Sequence, residues 1–146
     1  MNPAPAIVAA FLALLAAPVT AGDQRVVLVV DAASPVDYLD PVEVRKVFLR
    51  VPVHRDGRTL RPVVNASDPQ LEQIFLQHVV AMSRTAYDRR MLTLALQHGV
   101  PRPAAPTTRD EVLAALRQDR LAITFAWERD VAGDPRVRIV RILWQD

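Results

Sequence analysis

Histidine, aspartate and glutamate are the side chains of this sequence that could bind a metal ion or transfer protons. The chain has three histidines, His54, His78 and His98, and no cysteine, and no two histidines stand at a spacing common in zinc sites. It also lacks the glycine-rich and serine-containing motifs that hold a nucleotide or present a nucleophile. The sequence therefore predicts no metal site, no cofactor and no catalytic residues, so that the protein is not an enzyme.

Several acidic residues instead stand where helices are predicted to begin. Asp40 is followed by Pro41 at the first helical position and by Glu43 at the third, which is a capping-box pattern. Asp68 precedes Pro69 in the same way. Carboxylates that cap helices are not available as a catalytic acid–base pair, which argues against hydrolytic chemistry.

Four helices and four strands are predicted from these caps and from the hydrophobic pattern. The helices run from Pro41 to about Leu49, from Pro69 through Met82, from Ser83 to Gly99, and from Thr108 to about Gln118. The strands are Arg25–Val30, Leu60–Val64, Leu121–Ala126 and Val137–Leu143. The first strand is almost entirely apolar, as in a parallel sheet that is covered on both faces. The order predicts an α/β fold with a small sheet and one domain.

The basic residues do not indicate a nucleic-acid partner. The chain has 18 basic and 16 acidic residues, and all the basic ones except Lys46 are arginines. The two signs are interleaved without a long basic run, so we expect no nucleic-acid binding.

The first 21 residues predict a secretory signal peptide. About twelve apolar residues, from Ala6 to Ala17, are too few to span a bilayer as a helix, and Pro18 follows them. Val19-Thr20-Ala21 has small residues at the positions that precede a cleavage site. Residues 22–146 would then form the mature protein, periplasmic or secreted, with no stable membrane insertion. An uncleaved anchor or a buried N-terminal helix are the alternatives.

Ordered segments over nearly the whole mature chain resemble the small, single-lobe relatives of phosphate-type periplasmic substrate-binding proteins. These segments are VVLVV (26–30), DPVEVRKVFL (40–49), RDGRTLRPVV (55–64), NASDPQLEQIFLQHV (65–79), TTRDEVLAALRQ (107–118) and LAITFAWERDV (121–131). The resemblance implies one lobe of the type 2 periplasmic binding protein fold, a small mixed sheet flanked by about four helices. It also implies the non-catalytic role of a substrate-binding component of a phosphate ABC transporter.

In that family an anion is held by hydroxyls and backbone N–H groups at helix N-termini, where the helix dipole favours negative charge. Carried over by position, the implied ligand-binding residues are Ser34, in the first strand–helix loop, and Asn65 and Ser67, in the second. The implied partners are a small inorganic or organic anion and a transporter permease or another envelope protein.

Departures from the family pattern support a second hypothesis. The family has a Ser-Gly-Thr stretch, often with an Arg, before the helix Phe, whereas this chain has Asp68, Pro69, Gln70 and Glu72 there. It also has Arg50 in place of the family's Gly. Two carboxylates near the expected anion would repel it. The alternative is therefore a protein-interaction module that kept the fold and lost anion binding.

Two tryptophans are relevant to that alternative. Trp127 and Trp144 flank the last two strands and are predicted to be aromatic residues of the core or its rim. If Trp127 were exposed beside Arg129, it would suit a protein interface.

Overall fold

The fold is built around a central strand that is buried on both faces. The structure is a computed structural model that describes residues 22–146, so the predicted signal peptide lies outside the described residues. The strands are β1 (Arg25–Asp31), β2 (His54–Arg55), β3 (Arg58–Thr59), β4 (Arg61–Pro62), β5 (Ala122–Trp127) and β6 (Val137–Gln145). The helices are α1 (Pro41–Phe48), α2 (Pro69–Ile74), α3 (Arg84–His98), α4 (Arg109–Gln118) and α5 (Glu128–Val131), and a π-helical segment (Phe75–Val79) continues α2.

Four strands form the main sheet in the order β4-β5-β1-β6. Strand β1 is antiparallel to both of its neighbours, and only β4 and β5 are parallel. The α/β prediction with a small mixed sheet is confirmed, but the expectation that β1 lies among parallel strands is wrong. An all-apolar strand indicates cover on both faces of the sheet and carries no information about the direction of its neighbours.

Alternate residues of β1 pack in two separate hydrophobic layers. Val26, Leu28 and Val30 pack in the larger cluster with residues of α1, α2 and α3. Val27 and Val29 pack in a smaller cluster that includes Leu116 of α4 and Val131 of α5. The sheet therefore lies between two helical layers, as five consecutive buried apolar residues in one strand require.

An aromatic cluster fills the larger layer. The rings of Phe75 and Phe125 stack with centroids 4.3 Å apart, and the Phe48 ring meets Phe75 edge-on at 4.9 Å. Burial raises the pKa of Tyr87 to about 12, and its hydroxyl donates to the Phe48 carbonyl oxygen at 3.1 Å. This bond satisfies one of the carbonyl groups that the end of α1 leaves without a helical partner.

The predicted helix caps are confirmed. In α1, Asp40 Oδ1 accepts from the Glu43 N–H at 2.8 Å and Glu43 Oε2 accepts from the Asp40 N–H at 3.1 Å. Ser83 caps α3, which ends at Gly99 in the left-handed conformation with φ 63°. Thr108 Oγ1 accepts from the Glu111 N–H at 3.2 Å, but the Glu111 carboxylate reaches Thr107 instead of Thr108, so the second half of that capping box is displaced by one residue.

Two helices leave large apolar side chains exposed. Val42 of α1 is 62% exposed and Leu92 of α3 is 53% exposed, although each stands close to buried apolar residues of its helix in the sequence. In α1 the buried side chains are Val44, Val47 and Phe48, and α3 buries only Tyr87 and Met91 fully. Both helices therefore contact the core along a narrower stripe than the hydrophobic pattern indicates.

Two further short features lie in the second strand region. The Asp56-Gly57 turn joins a two-stranded hairpin of β2 and β3, and both turn residues have positive φ. The proline-rich segment after α3 runs beside β4, where the Val64 N–H donates to the Ala104 carbonyl oxygen and the Ala66 N–H donates to that of Pro106. Among the described residues, no helix is long and apolar enough to cross a membrane.

Arg50 gives a test of backbone strain in this fold. It follows the last turn of α1 with φ 62°, and its buried Nε has no hydrogen-bond partner. The left-handed conformation costs a residue other than glycine about 1–2 kcal/mol. Glycine avoids this cost, but it loses more conformational entropy on folding, which cancels about 0.5–1 kcal/mol of the gain. We expect Arg50→Gly to raise the free energy of unfolding by about 1 kcal/mol in denaturant titrations. Arg58→Gly, in exposed β3, is the control and should lower it; equal effects would contradict the strain at Arg50.

Candidate functional site

The loop between β4 and α2 brings two of the three predicted ligand-binding residues together. Asn65 is buried and its Nδ2 donates to the Phe125 carbonyl oxygen at 2.9 Å. Its Oδ1 accepts from both the backbone N–H and the hydroxyl of Ser67, at 3.1 and 2.6 Å. Asn65 therefore joins the loop to β5 through its amide N–H, and its side-chain oxygen accepts the hydroxyl proton of Ser67. The Ser67 side chain is exposed and its oxygen can still accept a hydrogen bond.

Asp68, the next residue, joins α2 to the end of β5. Its Oδ1 accepts from the N–H groups of Gln70 and Leu71, which caps α2. Its Oδ2 accepts from the indole N–H of Trp127 at 2.9 Å, and the Arg129 guanidinium lies 4.6 Å from the centre of the Trp127 ring. Trp127 is buried, so the prediction of a core aromatic is confirmed and an exposed interface tryptophan at this position is not found. Nothing in the sequence pattern indicated that one carboxylate would satisfy both the helix and the indole.

Ser34 lies at the other end of the sheet. Its N–H donates to the Asp31 carbonyl oxygen at the end of β1, whereas Asp68 contacts Trp127, which pairs with Val26 at the start of β1. Val26 and Asp31 are about 17 Å apart at about 3.4 Å per residue. The structure therefore does not bring Ser34 to Asn65 and Ser67, because β1 and β4 run in opposite directions.

Local contacts already occupy the polar groups of Ser34. Its hydroxyl oxygen accepts from the Val36 N–H at 3.2 Å, and its carbonyl oxygen accepts from Arg138 at 2.9 Å. The side chain is buried, with 8% exposure, so it presents almost no surface to a solute. In this structure it shapes the loop between β1 and α1.

The N-termini of α1 and α2 are both closed by the chain's own carboxylates. Asp40 caps α1, and the Arg55 guanidinium beside Glu43 holds the pKa of the Glu43 carboxyl below its usual range. At α2 the hydrogen bond from Trp127 is the main cause that lowers the Asp68 pKa, helped by the helix N–H groups and by Arg129. Pro69 also has no N–H to offer at the first helical position. An anion at either helix would have to displace the carboxylate that caps it.

A groove of about 820 Å³ begins beside this loop and was missed by the sequence reasoning. It runs along α2 and the π-helical segment to the start of α3. Its lining includes Gln70 and Gln73, which are three positions apart in α2, and Gln77 of the π-helical segment. Met82 and Arg84 also line it, and the neighbouring Ala81 has φ 53°. The glutamine spacing was visible in the sequence, but the wide π-turn and the left-handed Ala81 that shape the groove were not.

The remaining candidates for chemistry do not assemble. All three histidines are exposed, and His78 lies against Trp144 with ring centroids 5.9 Å apart. Within residues 22–146, no group of three histidine, cysteine or acidic side chains lies close enough together to hold a metal ion. The absence of a metal site and of catalysis remains a prediction for the chain as a whole.

The role of Asp68 can be tested by measuring the free energy of unfolding of a variant that lacks its carboxylate. Asp68→Ala removes the cap of α2 and leaves the buried Trp127 N–H without its acceptor, so we expect a loss of about 2–3 kcal/mol in the free energy of unfolding. Asp37→Ala, whose side chain is 92% exposed, is the control and should change it by less than about 0.5 kcal/mol. Equal losses in denaturant titrations would contradict the role assigned to Asp68.

The same carboxylate predicts a pH dependence. Because folding lowers the Asp68 pKa below its ordinary 3.8, its ionised form stabilises the protein above that pH, and this contribution is lost as the pH falls towards the folded value. The stability gap between the wild type and Asp68→Asn should therefore narrow in acid. A gap that stays constant from neutral pH to about pH 2 would contradict the assignment.

Solved structures share this fold. No protein-family model and no curated protein matches the chain. An ABC-type phosphate transport receptor from Vibrio cholerae superposes with a TM-score of 0.59 and 10% identity, over 82% of this chain and 46% of the receptor. A possible phosphate binding protein from Planctomyces limnophilus DSM 3776 gives 0.51 and 9%, over 82% of this chain and 41% of the other. The chain spans less than half the length of either protein. At this identity the likeness establishes the fold alone.

Proposed function

We propose that the protein is a non-catalytic binding module outside the cytoplasm that uses a solute-binding-protein fold to recognise a protein partner. The observation that carries this proposal is the closed N-terminus of α2, where Asp68 occupies the helix N–H groups and the Trp127 indole together. A solute-binding lobe of phosphate type needs that terminus open, because its N–H groups are the anion's ligands.

Charge supports a partner other than a small dianion. Two like unit charges about 4 Å apart have a repulsion energy of about 4 kcal/mol at an effective dielectric constant of 20. For a dianion beside the Asp68 carboxylate the repulsion energy would be about twice as large. Arg129 offsets part of this repulsion, but its guanidinium lies over the Trp127 ring. The three predicted ligand residues also cannot meet one small ion, because Ser34 lies at the opposite end of β1.

The groove offers a surface that suits a polypeptide. Each of the amides of Gln70, Gln73 and Gln77 can donate and accept hydrogen bonds, as peptide groups do. Leu76 and Met82 add apolar surface, and methionine adapts its shape to different partners. The groove is open to solvent, so a small solute in it would stay partly in water, whereas an extended segment would cover more of its lining.

The location outside the cytoplasm rests on the predicted signal peptide, residues 1–21, and is supported by the fold that the chain shares with a transport receptor. Cleavage after Ala21 would release the domain of residues 22–146.

A second candidate is an anion-binding component of a phosphate-type transporter, working with a permease. Ser67 is exposed at the start of α2, and the Arg129 guanidinium acts on the neighbouring Asp68 carboxylate. The named structural relatives agree with this candidate at the level of the fold.

Thermal unfolding with phosphate, sulfate and a panel of organic anions separates the two candidates. A ligand at 100 times its dissociation constant adds about 2.7 kcal/mol to the free energy of unfolding and raises the midpoint of thermal unfolding by several degrees. We expect no shift with any of these anions in the wild type. A shift with one anion that Ser67→Ala abolishes and Ser34→Ala preserves would overturn the first proposal in favour of the second.

Site-specific photo-crosslinking tests whether the groove contacts a protein partner. A photoreactive residue in place of Gln73, in the groove, should capture a defined protein in the cell envelope, and one in place of Arg58, in the exposed hairpin, should not. Equal capture from both positions would contradict recognition through the groove.

A further inference from the structure

We infer that a second cavity, between α2, α3 and the proline-rich segment after α3, receives one aromatic side chain of the protein partner whose chain lies in the groove. The cavity has a volume of about 220 Å³, and it shares Leu76 and Arg84 with the lining of the groove. An apolar cavity of about 150 Å³ is enough to hold benzene, so this one has room for a single ring. The inference rests on the proposed function and adds the chemistry of the residue that anchors the partner.

The floor of the second cavity is apolar and buried. Phe75, Tyr87 and Met91 line it together with Val64 and Leu76, and each of these side chains is at most 8% exposed. The polar atom among them, the Tyr87 hydroxyl, already donates to a backbone carbonyl oxygen at the end of α1. A polar group placed there would lose its hydrogen bonds to water without gaining others, so the floor selects an apolar occupant.

Three side chains of the floor favour an aromatic occupant over an aliphatic one. The rings of Phe75 and Tyr87 meet edge-on with centroids 5.9 Å apart, and both line the cavity. A further ring would add edge-on or offset contacts with them, which stabilise aromatic pairs beyond the burial of area. The thioether of Met91 makes favourable contacts with a ring as well.

Two ion pairs form the rim of the second cavity. Arg84 Nη2 lies 2.7 Å from Glu72 Oε1, and Arg102 Nη2 lies 2.8 Å from Asp88 Oδ1. These four side chains together carry no net charge, so the rim does not favour an ion of either sign. The edge of each guanidinium contacts its carboxylate, while its flat face can still stack on a ring. The rim therefore suits a neutral aromatic group.

The position of the cavity beside the groove indicates that the ring belongs to a polypeptide. Leu76 and Arg84 lie where the groove and the cavity meet, and the Arg84 side chain is 56% exposed and can move aside. A chain that contacts Gln70 and Gln73 in the groove can thus direct one side chain past Arg84 into the cavity. Aromatic residues in desolvated pockets supply most of the binding energy in many interfaces.

Toluene tests the cavity without any partner. Met82 lines the groove and Met91 lines the cavity, so their methyl groups report on the two sites separately. In protein labelled with ¹³C at the methionine methyl groups, we expect nuclear Overhauser effects between toluene and Met91 and none to Met82. Methylcyclohexane, a saturated ring of similar shape, should bind severalfold more weakly. Equal binding of the two, or no contact between toluene and Met91, would overturn the inference.

Two neighbouring alanines supply a matched pair of variants. Ala104 and Ala105 are both exposed, but Ala105 lines the cavity and Ala104 does not. The carbonyl oxygens of Ala104 and Pro106 both accept from the β4 side, so the segment is extended and its successive side chains point in opposite directions. Ala105→Phe should occupy the cavity with its own ring and abolish the toluene contacts, whereas Ala104→Phe should preserve them. Circular dichroism would confirm that both fold; contacts that survive in Ala105→Phe would overturn the inference.

Photo-crosslinking connects the cavity to the partner. With the photoreactive residue in place of Gln73, Ala105→Phe should reduce capture of the envelope protein severalfold, and Ala104→Phe should leave it unchanged. Equal capture in the two variants would overturn the inference and leave recognition through the groove intact. Absence of capture even without either substitution would overturn the proposed function, and this inference with it.

Discussion

The five residues Val26–Val30 can leave water together only if the sheet is covered on both of its faces. Neighbouring side chains of a strand point to opposite sides, so one helical layer could bury at most every second residue. The chain meets this requirement with α1, α2 and α3 on one face and α4 and α5 on the other. It also places β1 between β5 and β6, both antiparallel to it. Much of the remaining architecture follows from that double cover.

The direction of β1 determines what the loops can do together. A loop that leaves the end of β1 and a loop that leaves the end of β4 emerge at opposite ends of the sheet, so their side chains cannot converge on one small ion. The loop after β4 is instead bonded to β5 through Asn65 and Asp68. The polar residues that a comparison of sequences would assign to a ligand here hold secondary structure elements together. For this reason we propose recognition of an extended partner and not enclosure of a solute.

Local signals predicted much of the fold, because they depend on neighbours in the sequence. Asp40 with Glu43, Ser83 with Gly99, and Thr108 each act within a few residues, and the structure has helices where these residues predict them. Features that depend on distant partners were not predictable in the same way. The antiparallel direction of β1, the contact of Asp68 with Trp127 and the exposure of Val42 and Leu92 all depend on packing between remote segments.

The candidate site shows the same division. The sequence placed Asn65 and Ser67 in one loop, and they do lie together, because only Ala66 separates them along the chain. It could not place Ser34 relative to them, because that depends on strand direction. The groove beside α2 depends on a π-turn and on the left-handed Ala81, for which the residues give no recognised signal.

The pairing of β1 with β6 also determines how this domain would respond to mechanical load. The Asp146 N–H donates to the Gln24 carbonyl oxygen at 3.0 Å, so the first and last described strands begin and end side by side. A force that pulled Gln24 and Asp146 apart would act on the ladder from that end and break its hydrogen bonds one after another. A parallel arrangement would load all of them at once in shear. Strand β6 would therefore detach from β1 at low force, one hydrogen bond after another, while β5 still holds β1 in the core.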